Sequence, residues 1–217
     1  MGLMTLAEMR VDVARQMLNR TTLDPTDPTA QIKLNLWINR ALRWVALPKV
    51  FRHPGLFLNS PVVLVLATQR YALPSNLYAI RFVINETKED EYRPILPQRL
   101  LRNSSSDRRF ARDGNDILFN VSDSTNGDTV RIYYWAYPTA LTMDGSITQI
   151  EDYFDQVIID RATSDGCAAI GELQRSDFFR ERAAAAVNEH APAQLFEGMN
   201  EQWMNDLHER NSYQRTS

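Results

Sequence analysis

One cysteine, Cys167, stands in 217 residues, so no intrachain disulfide can form, and the three histidines, His53, His190 and His208, lie too far apart for a zinc-ligand spacing. That scarcity makes a reducing, intracellular setting the natural expectation. No run approaches the roughly 18 apolar residues a membrane span requires, and the opening MGLMTLAEMR places Glu8 and Arg10 where a signal peptide needs an apolar core. The expectation is a soluble chain with no membrane partner and no cleavable signal. An excess of basic charge is missing too: 24 Lys and Arg face 27 Asp and Glu, a formal net charge of −3. Sequence-independent affinity for phosphate needs clustered cations, so this balance argues against a generic nucleic-acid binder.

Catalytic signatures are equally scarce. The chain has no glycine-rich phosphate loop, nucleophile elbow or HExxH pattern, so neither an enzyme nor a cofactor is expected. Glu151 and Asp155 stand one helical turn apart, but without a third ligand they read as solvated acids at a helix start. Cys167, beside Ala168 and Ala169, reads as a small buried hydrophobe. Leu6 occupies the position where N-myristoylation requires Ser or Thr, and the four sequons starting at Asn19, Asn85, Asn103 and Asn120 mean nothing without a secretory route.

What is present divides the chain by periodicity. Thr5 and Glu8 form a capping box ahead of Leu6, Met9, Val13 and Met17, which predicts a helix from about residue 6 to 19. Asp27 and Pro28 read as N-cap and first helical residue of a second helix, whose apolar face is Leu34, Trp37, Ile38, Ala41, Leu42 and Val45, closed by Pro48. Prolines 54, 61, 74, 94 and 97 then punctuate β-branched and aromatic runs, predicting strands at 62–67, 69–73, 79–85, 116–121 and 129–137. Helical period returns with Phe154, Val157, Ile158, Arg161, Ala162, Ala168, Ala169 and Leu173 on one side and a break near Asp165 and Gly166. Ser176 is the expected cap of a fourth helix, ended by Pro192.

The resulting fold class is α+β: a bundle of four main helices (1–48 and 146–190), an antiparallel β domain (49–145) inserted between the second and third, and an extended C-terminal arm (191–217). The arm carries Leu195, Phe196, Trp203, Met204, Leu207 and Tyr213 with no partner element in sequence, so it is expected to order on another subunit.

Two features invite a functional reading. Arg93, Arg99, Arg102, Arg108, Arg109 and Arg112 gather around NSSSD. They suit either a phosphate-facing loop, since the guanidinium fork matches phosphate, or a mobile surface loop neutralised by Asp107, Asp113 and Asp116. In VRIYYWAYPTALT, the strand period sends Val130, Ile132, Tyr134 and Ala136 to a core face and Arg131, Tyr133, Trp135 and Tyr137 to the other. That second set suits a stacking platform for bases or sugars, or a face packed on protein. Without a basic groove, the protein-packed face is the expectation.

The segments LNLWINRALRWVALP (34–48), QRYALPSNLYAIRFV (69–83), VRIYYWAYPTALT (130–142) and YFDQVIIDRATSDGCAAIGE (153–172), in this order, resemble the head-to-tail adaptor, or connector, proteins of tailed bacteriophages. The resemblance implies a structural virion protein of the neck between capsid and tail, assembled in the host cytoplasm. It implies a homo-oligomeric, typically dodecameric ring on the portal protein, joined to tail or nozzle proteins, with double-stranded DNA passing through without sequence-specific binding. It assigns the portal contact to the arm, with Leu195, Phe196, Trp203, Met204, Leu207 and Tyr213. Arg99, Arg102, Arg108, Arg109 and Arg112 are then expected to face the lumen or the tail. The alternatives are a single-strand nucleic-acid or carbohydrate binding module using the aromatic strand face, or another neck or tail ring protein.

Overall fold

The computed structural model describes residues 3–17, 23–47, 53–102 and 108–190. The fold is α+β, with helices α1 (Leu6–Met17), α2 (Pro28–Val45), α3 (Pro97–Arg102), α4 (Asp155–Ala169) and α5 (Leu173–His190). The strands are β1 (Phe57–Val63), β2 (Arg70–Ala72), β3 (Leu77–Asn85), β4 (Asp90–Pro94), β5 (Arg109–Asp113), β6 (Asp116–Phe119) and β7 (Thr129–Ala136). Two compact units result: Met1–Val45, Thr142–Ser146 and Asp152–Ser217 in one, Ala46–Leu141 and Ile147–Glu151 in the other.

In the helical unit the start signals act as the sequence predicts. Thr5 N donates to Glu8 Oε2 at 2.7 Å and Glu8 N to Thr5 Oγ1 at 3.3 Å, a reciprocal capping box. Ala30 N donates to Asp27 Oδ2 at 2.8 Å, with Pro28 opening α2. The apolar stripes of α1 and α2 are buried as read.

Helix α4 departs from the reading. It runs through Gly166 without a break, and it is central, packing on α1, α2 and α5. Burial therefore extends around Ile159, Asp160, Thr163, Ser164, Gly166 and Cys167, whereas Ala168, Ala169 and Leu173 are exposed. Gly166 admits the neighbouring helices: a Cβ there would lie 2.6 Å from Met17 Sδ and 3.1 Å from Trp37 Cε3. The helix ends instead at Gly171 (φ +84), where Gly171 N donates to Ala168 O at 3.1 Å and Glu172 N to Cys167 O at 2.9 Å. This is a Schellman closure using the left-handed conformation glycine tolerates.

Ser176 is not the cap expected. Its N–H already donates to Glu172 O at 3.0 Å inside α5, and its side chain is buried against Ser164, whose Oγ donates to Ser176 O at 2.8 Å. The reverse turn at Gly171 starts α5 at Leu173, before Ser176 is reached.

The sheet unit is one seven-stranded sheet in the order β1-β7-β3-β4-β5-β6-β2. One face of the sheet gathers a single apolar core, with Val83, Tyr92, Phe110, Phe119 and Ile132 fully inside it and Val62 and Tyr71 packed against it. Residues from every strand meet there, so the sheet curls around its own core. The sheet is mixed, not purely antiparallel: β4 and β5 run parallel. The reason is the connection, since α3 carries the chain across between them, and a fifth helix therefore joins the four expected.

The first strand lies earlier than read. Pro61 sits inside β1, which is tolerated because β1 is an edge strand with a ladder on one side only. Residues 65–67 turn instead, with Ala67 at φ 67 and Val65 N bonded to Tyr71 Oη at 2.8 Å.

Near the start of this unit His53 is 1% exposed and its Nδ1 lies 2.6 Å from Glu151 Oε2. Beside it, a Cβ on Gly55 would lie 2.5 Å from the backbone oxygen of Gln149. Because that neighbour is backbone, Gly55→Ala is expected to cost about 1–3 kcal/mol in urea unfolding. Gly145→Ala, where a Cβ meets nothing within 4 Å, should stay within about 0.5 kcal/mol.

Candidate functional site

β7 alternates as its period demands: Val130, Ile132, Tyr134 and Ala136 are buried, and Arg131, Tyr133, Trp135 and Tyr137 are half-buried on the other face. Registers bring Phe57 of β1 opposite Trp135 and Phe82 of β3 opposite Tyr133. The rings then pack on one another. Phe82 and Tyr133 stack at 4.5 Å between centroids, Phe57 lies 5.0 Å from Trp135, and Tyr78 meets Tyr137 edge-on at 5.1 Å. Cross-strand aromatic pairs of this kind contribute about 0.5–1.5 kcal/mol each beyond area burial.

The cation on this face is already occupied. Arg131 Nε lies 2.6 Å from Glu86 Oε1, its Nη2 donates to Glu86 Oε2 at 2.9 Å and its Nη1 to Asn59 Oδ1 at 2.9 Å. This hydrogen bonding to Glu86 holds the guanidinium pKa above its ordinary value. A platform for bases needs open ring faces and a cation available to phosphate. Here the rings meet each other and the cation is neutralised, which leaves a half-exposed apolar face suited to another protein surface.

Alongside the aromatic strands a buried polar knot fixes the β3–β4 turn. Asn85 Nδ2 donates to Asp128 Oδ2 at 2.7 Å, Lys88 Nζ lies 3.0 Å from the same oxygen, and Asn85 Oδ1 receives the N–H groups of Thr87 and Lys88. Burial penalises the Asp128 carboxylate, but the Asn85 and Lys88 bonds outweigh it and hold its pKa below the ordinary value. Sequence reading missed this knot, because nothing in the spacing of Asn85, Lys88 and Asp128 joins them before the sheet forms.

The arginine segment does not form the single loop expected. Arg99 is an exposed residue of α3, and Arg102 closes that helix. Arg109 and Arg112 belong to β5, and Arg108 immediately precedes it. Arg108 pairs with Asp90, and Arg112 donates to the carbonyl oxygens of Gly114 at 3.2 Å and Tyr78 at 3.4 Å. Asp113 and Asp116 pair not with this segment but with Arg70, at 2.7 and 3.4 Å. Parallel pairing sets Arg93 of β4 directly beside Arg109 of β5. Asp107 lies outside the described residues, as do Leu195, Phe196, Trp203, Met204, Leu207 and Tyr213 of the C-terminal segment.

Among the described residues no group of His, Cys, Asp and Glu could hold a metal ion, and no helix is long and apolar enough to cross a membrane. Compared with known proteins, residues 4–216 match the model of a family described as SU10 adaptor protein. No curated protein matches the chain.

Proposed function

The chain belongs to the SU10 adaptor protein family, whose members are structural phage adaptors, and on that premise we propose that it is a head-to-tail adaptor of the virion neck. Copies close into a dodecameric ring that docks on the portal protein, joins it to tail or nozzle proteins and surrounds the DNA channel. The observation that carries this reading is that the family match runs through both the helical and the sheet unit.

The physical chemistry agrees with an assembly role. Ring closure needs heterologous contacts, one surface of each copy meeting a different surface of the next. Both ends of the sheet are blunted against strand addition, β1 by Pro61 and β2 by its length of 3 residues. Copies therefore join through side chains, and the half-buried Phe57, Phe82, Tyr133 and Trp135 face is one apolar surface available for it. The C-terminal segment, with Leu195, Phe196, Trp203, Met204, Leu207 and Tyr213, supplies the portal contact. Duplex DNA passes without sequence-specific recognition, assembly takes place in the host cytoplasm, and no cofactor or membrane takes part.

Mass in solution tests the reading, measured on the chain alone and mixed with a portal ring. Co-assembly into a ring-sized complex is expected whether the isolated chain is monomeric or not. A concentrated chain that remains a lone monomer in the presence of portal overturns the proposal, and capture by tail components without portal would make it a different neck or tail ring protein.

A further inference from the structure

Within the helical unit, α2 and α5 hold different sides of α4. Asp160 and Ser164 of α4 bond α5 through Arg182 and Ser176. Arg161 of α4 lies over the Trp44 ring of α2, 5.1 Å from its centroid, and Gly166 admits Trp37 of the same helix. Each outer helix buries one face on the unit and turns the other to solvent.

The two solvent faces differ in kind. On α2 the stripe opposite the buried one is Ile32, Lys33, Leu36 and Arg40, at helical spacing. Ile32 is 70% and Leu36 48% exposed, a pair of aliphatics one turn apart with Lys33 between them on the helix surface. No carboxylate occurs in α2, so its own charge on this face is wholly positive; Arg40 also acts on Asp165 of α4. On α5 the exposed stripe is Phe178, Glu181, Ala185 and Glu189, with Phe178 58% exposed. The arginines of α5 are engaged within the unit, Arg175 with Glu172, Arg180 with Asp177 and Arg182 with Asp160. The charge of this second stripe is therefore that of Glu181 and Glu189. One face is aliphatic and cationic, the other aromatic and acidic, so each complements the other and neither complements itself.

We infer that a second copy of this chain covers each face: the outer side of α2, with Ile32, Lys33 and Leu36, packs on the outer side of α5, with Phe178, Glu181 and Ala185, in the next copy. Two unlike surfaces on different sides of one unit make a heterologous contact, and a closed ring is the arrangement that leaves neither surface uncovered. Phe178 meets the aliphatic pair, Lys33 meets Glu181, and Ala185 adds no bulk between the helices. The inference rests on the adaptor reading for the existence of a ring and adds to it the two helices that close the ring.

Cysteine pairing in the full chain, assembled with portal rings, tests the contact. Leu36→Cys and Ala185→Cys in one chain, both at exposed positions, should link copies head to tail under mild oxidation and give a ladder of covalent multimers on a denaturing gel. Either single variant, and the parent chain with its buried Cys167, should run as a monomer on that gel. Charge exchange gives a second reading. Lys33→Glu or Glu181→Lys alone should weaken assembly about tenfold, and the two together in one chain should restore it. An assembled ring that yields no ladder overturns the inference. A covalent dimer from either single variant also overturns it, because a helix would then be meeting its own counterpart. So does assembly of both charge variants at the strength of the parent chain. In each of these cases the parent chain still joins the portal and the adaptor reading stands, whereas a parent chain that fails to assemble overturns both.

Discussion

Replacing Arg182 by methionine should destabilise the helical unit by about 2–3 kcal/mol, and replacing Asp160 by asparagine in the same chain should restore much of the loss. Asp160 is 2% exposed in the middle of α4. It accepts a hydrogen bond from Arg182 Nε at 2.6 Å and a closer one from a second Arg182 nitrogen, with Gln156 Nε2 donating at 2.8 Å. Removing the guanidinium leaves a buried carboxylate with Gln156 alone, and a charge stranded in a fully buried pair costs about 3–5 kcal/mol. The Arg182 side chain is 43% exposed, so water can enter in its place, which is why the lower figure is expected. Methionine keeps apolar contact with Phe179, whose ring centroid lies 5.0 Å from the guanidinium carbon. Urea unfolding of the two single variants and the double gives the coupling directly. A loss under about 0.5 kcal/mol in Arg182→Met would mean that solvent replaces the guanidinium at no cost.

The same pair shows where sequence reading stops. Arg182 and Asp160 sit on different helices, and only the reversal at Gly171 brings α5 back along α4 to join them. Period and capping made α1 and α2 legible, because the information lies within a few residues of each helix: Thr5 with Glu8, Asp27 with Pro28, and stripes repeating every turn. α4 misled because a central helix is buried on most of its circumference, so its small and polar residues, Thr163, Ser164 and Gly166, carry packing that a one-sided stripe does not reveal. β7 was legible in both faces, since its alternation is strict. β4 and β5 were not, because DEYRP and RFARD bury only Tyr92, Phe110 and Ala111 and otherwise read as charged loop. That gap hid the parallel crossover, and with it the juxtaposition of Arg93 and Arg109. The aromatic row was visible as residues, but Phe57 lies 78 positions from its partner Trp135 and Phe82 lies 51 from Tyr133, and only the register supplies them.

Ending the chain at His190 should abolish docking on the portal while leaving both units folded. The buried stripe of α5, Ser176, Phe179, Ala183 and Val187, lies wholly before that point, so the truncation removes none of these buried residues. What it removes is the run with Leu195, Phe196, Trp203, Met204, Leu207 and Tyr213. Burying such side chains against a partner contributes about 1.5–3 kcal/mol each, and about 1.4 kcal/mol is a tenfold change in affinity. Removing even two therefore lowers the affinity of each copy by about a hundredfold, and a ring multiplies the effect because every copy is weakened in the same way. Co-sedimentation of the truncated chain with portal rings reads the outcome, and the pair Trp203→Ala, Leu207→Ala should fall between the truncation and the parent chain. Thermal unfolding of the truncated chain should keep its midpoint. If docking survives truncation undiminished, the portal contact belongs to another surface. The half-exposed aromatic face of Phe57, Phe82, Tyr133 and Trp135 would then be the one to test.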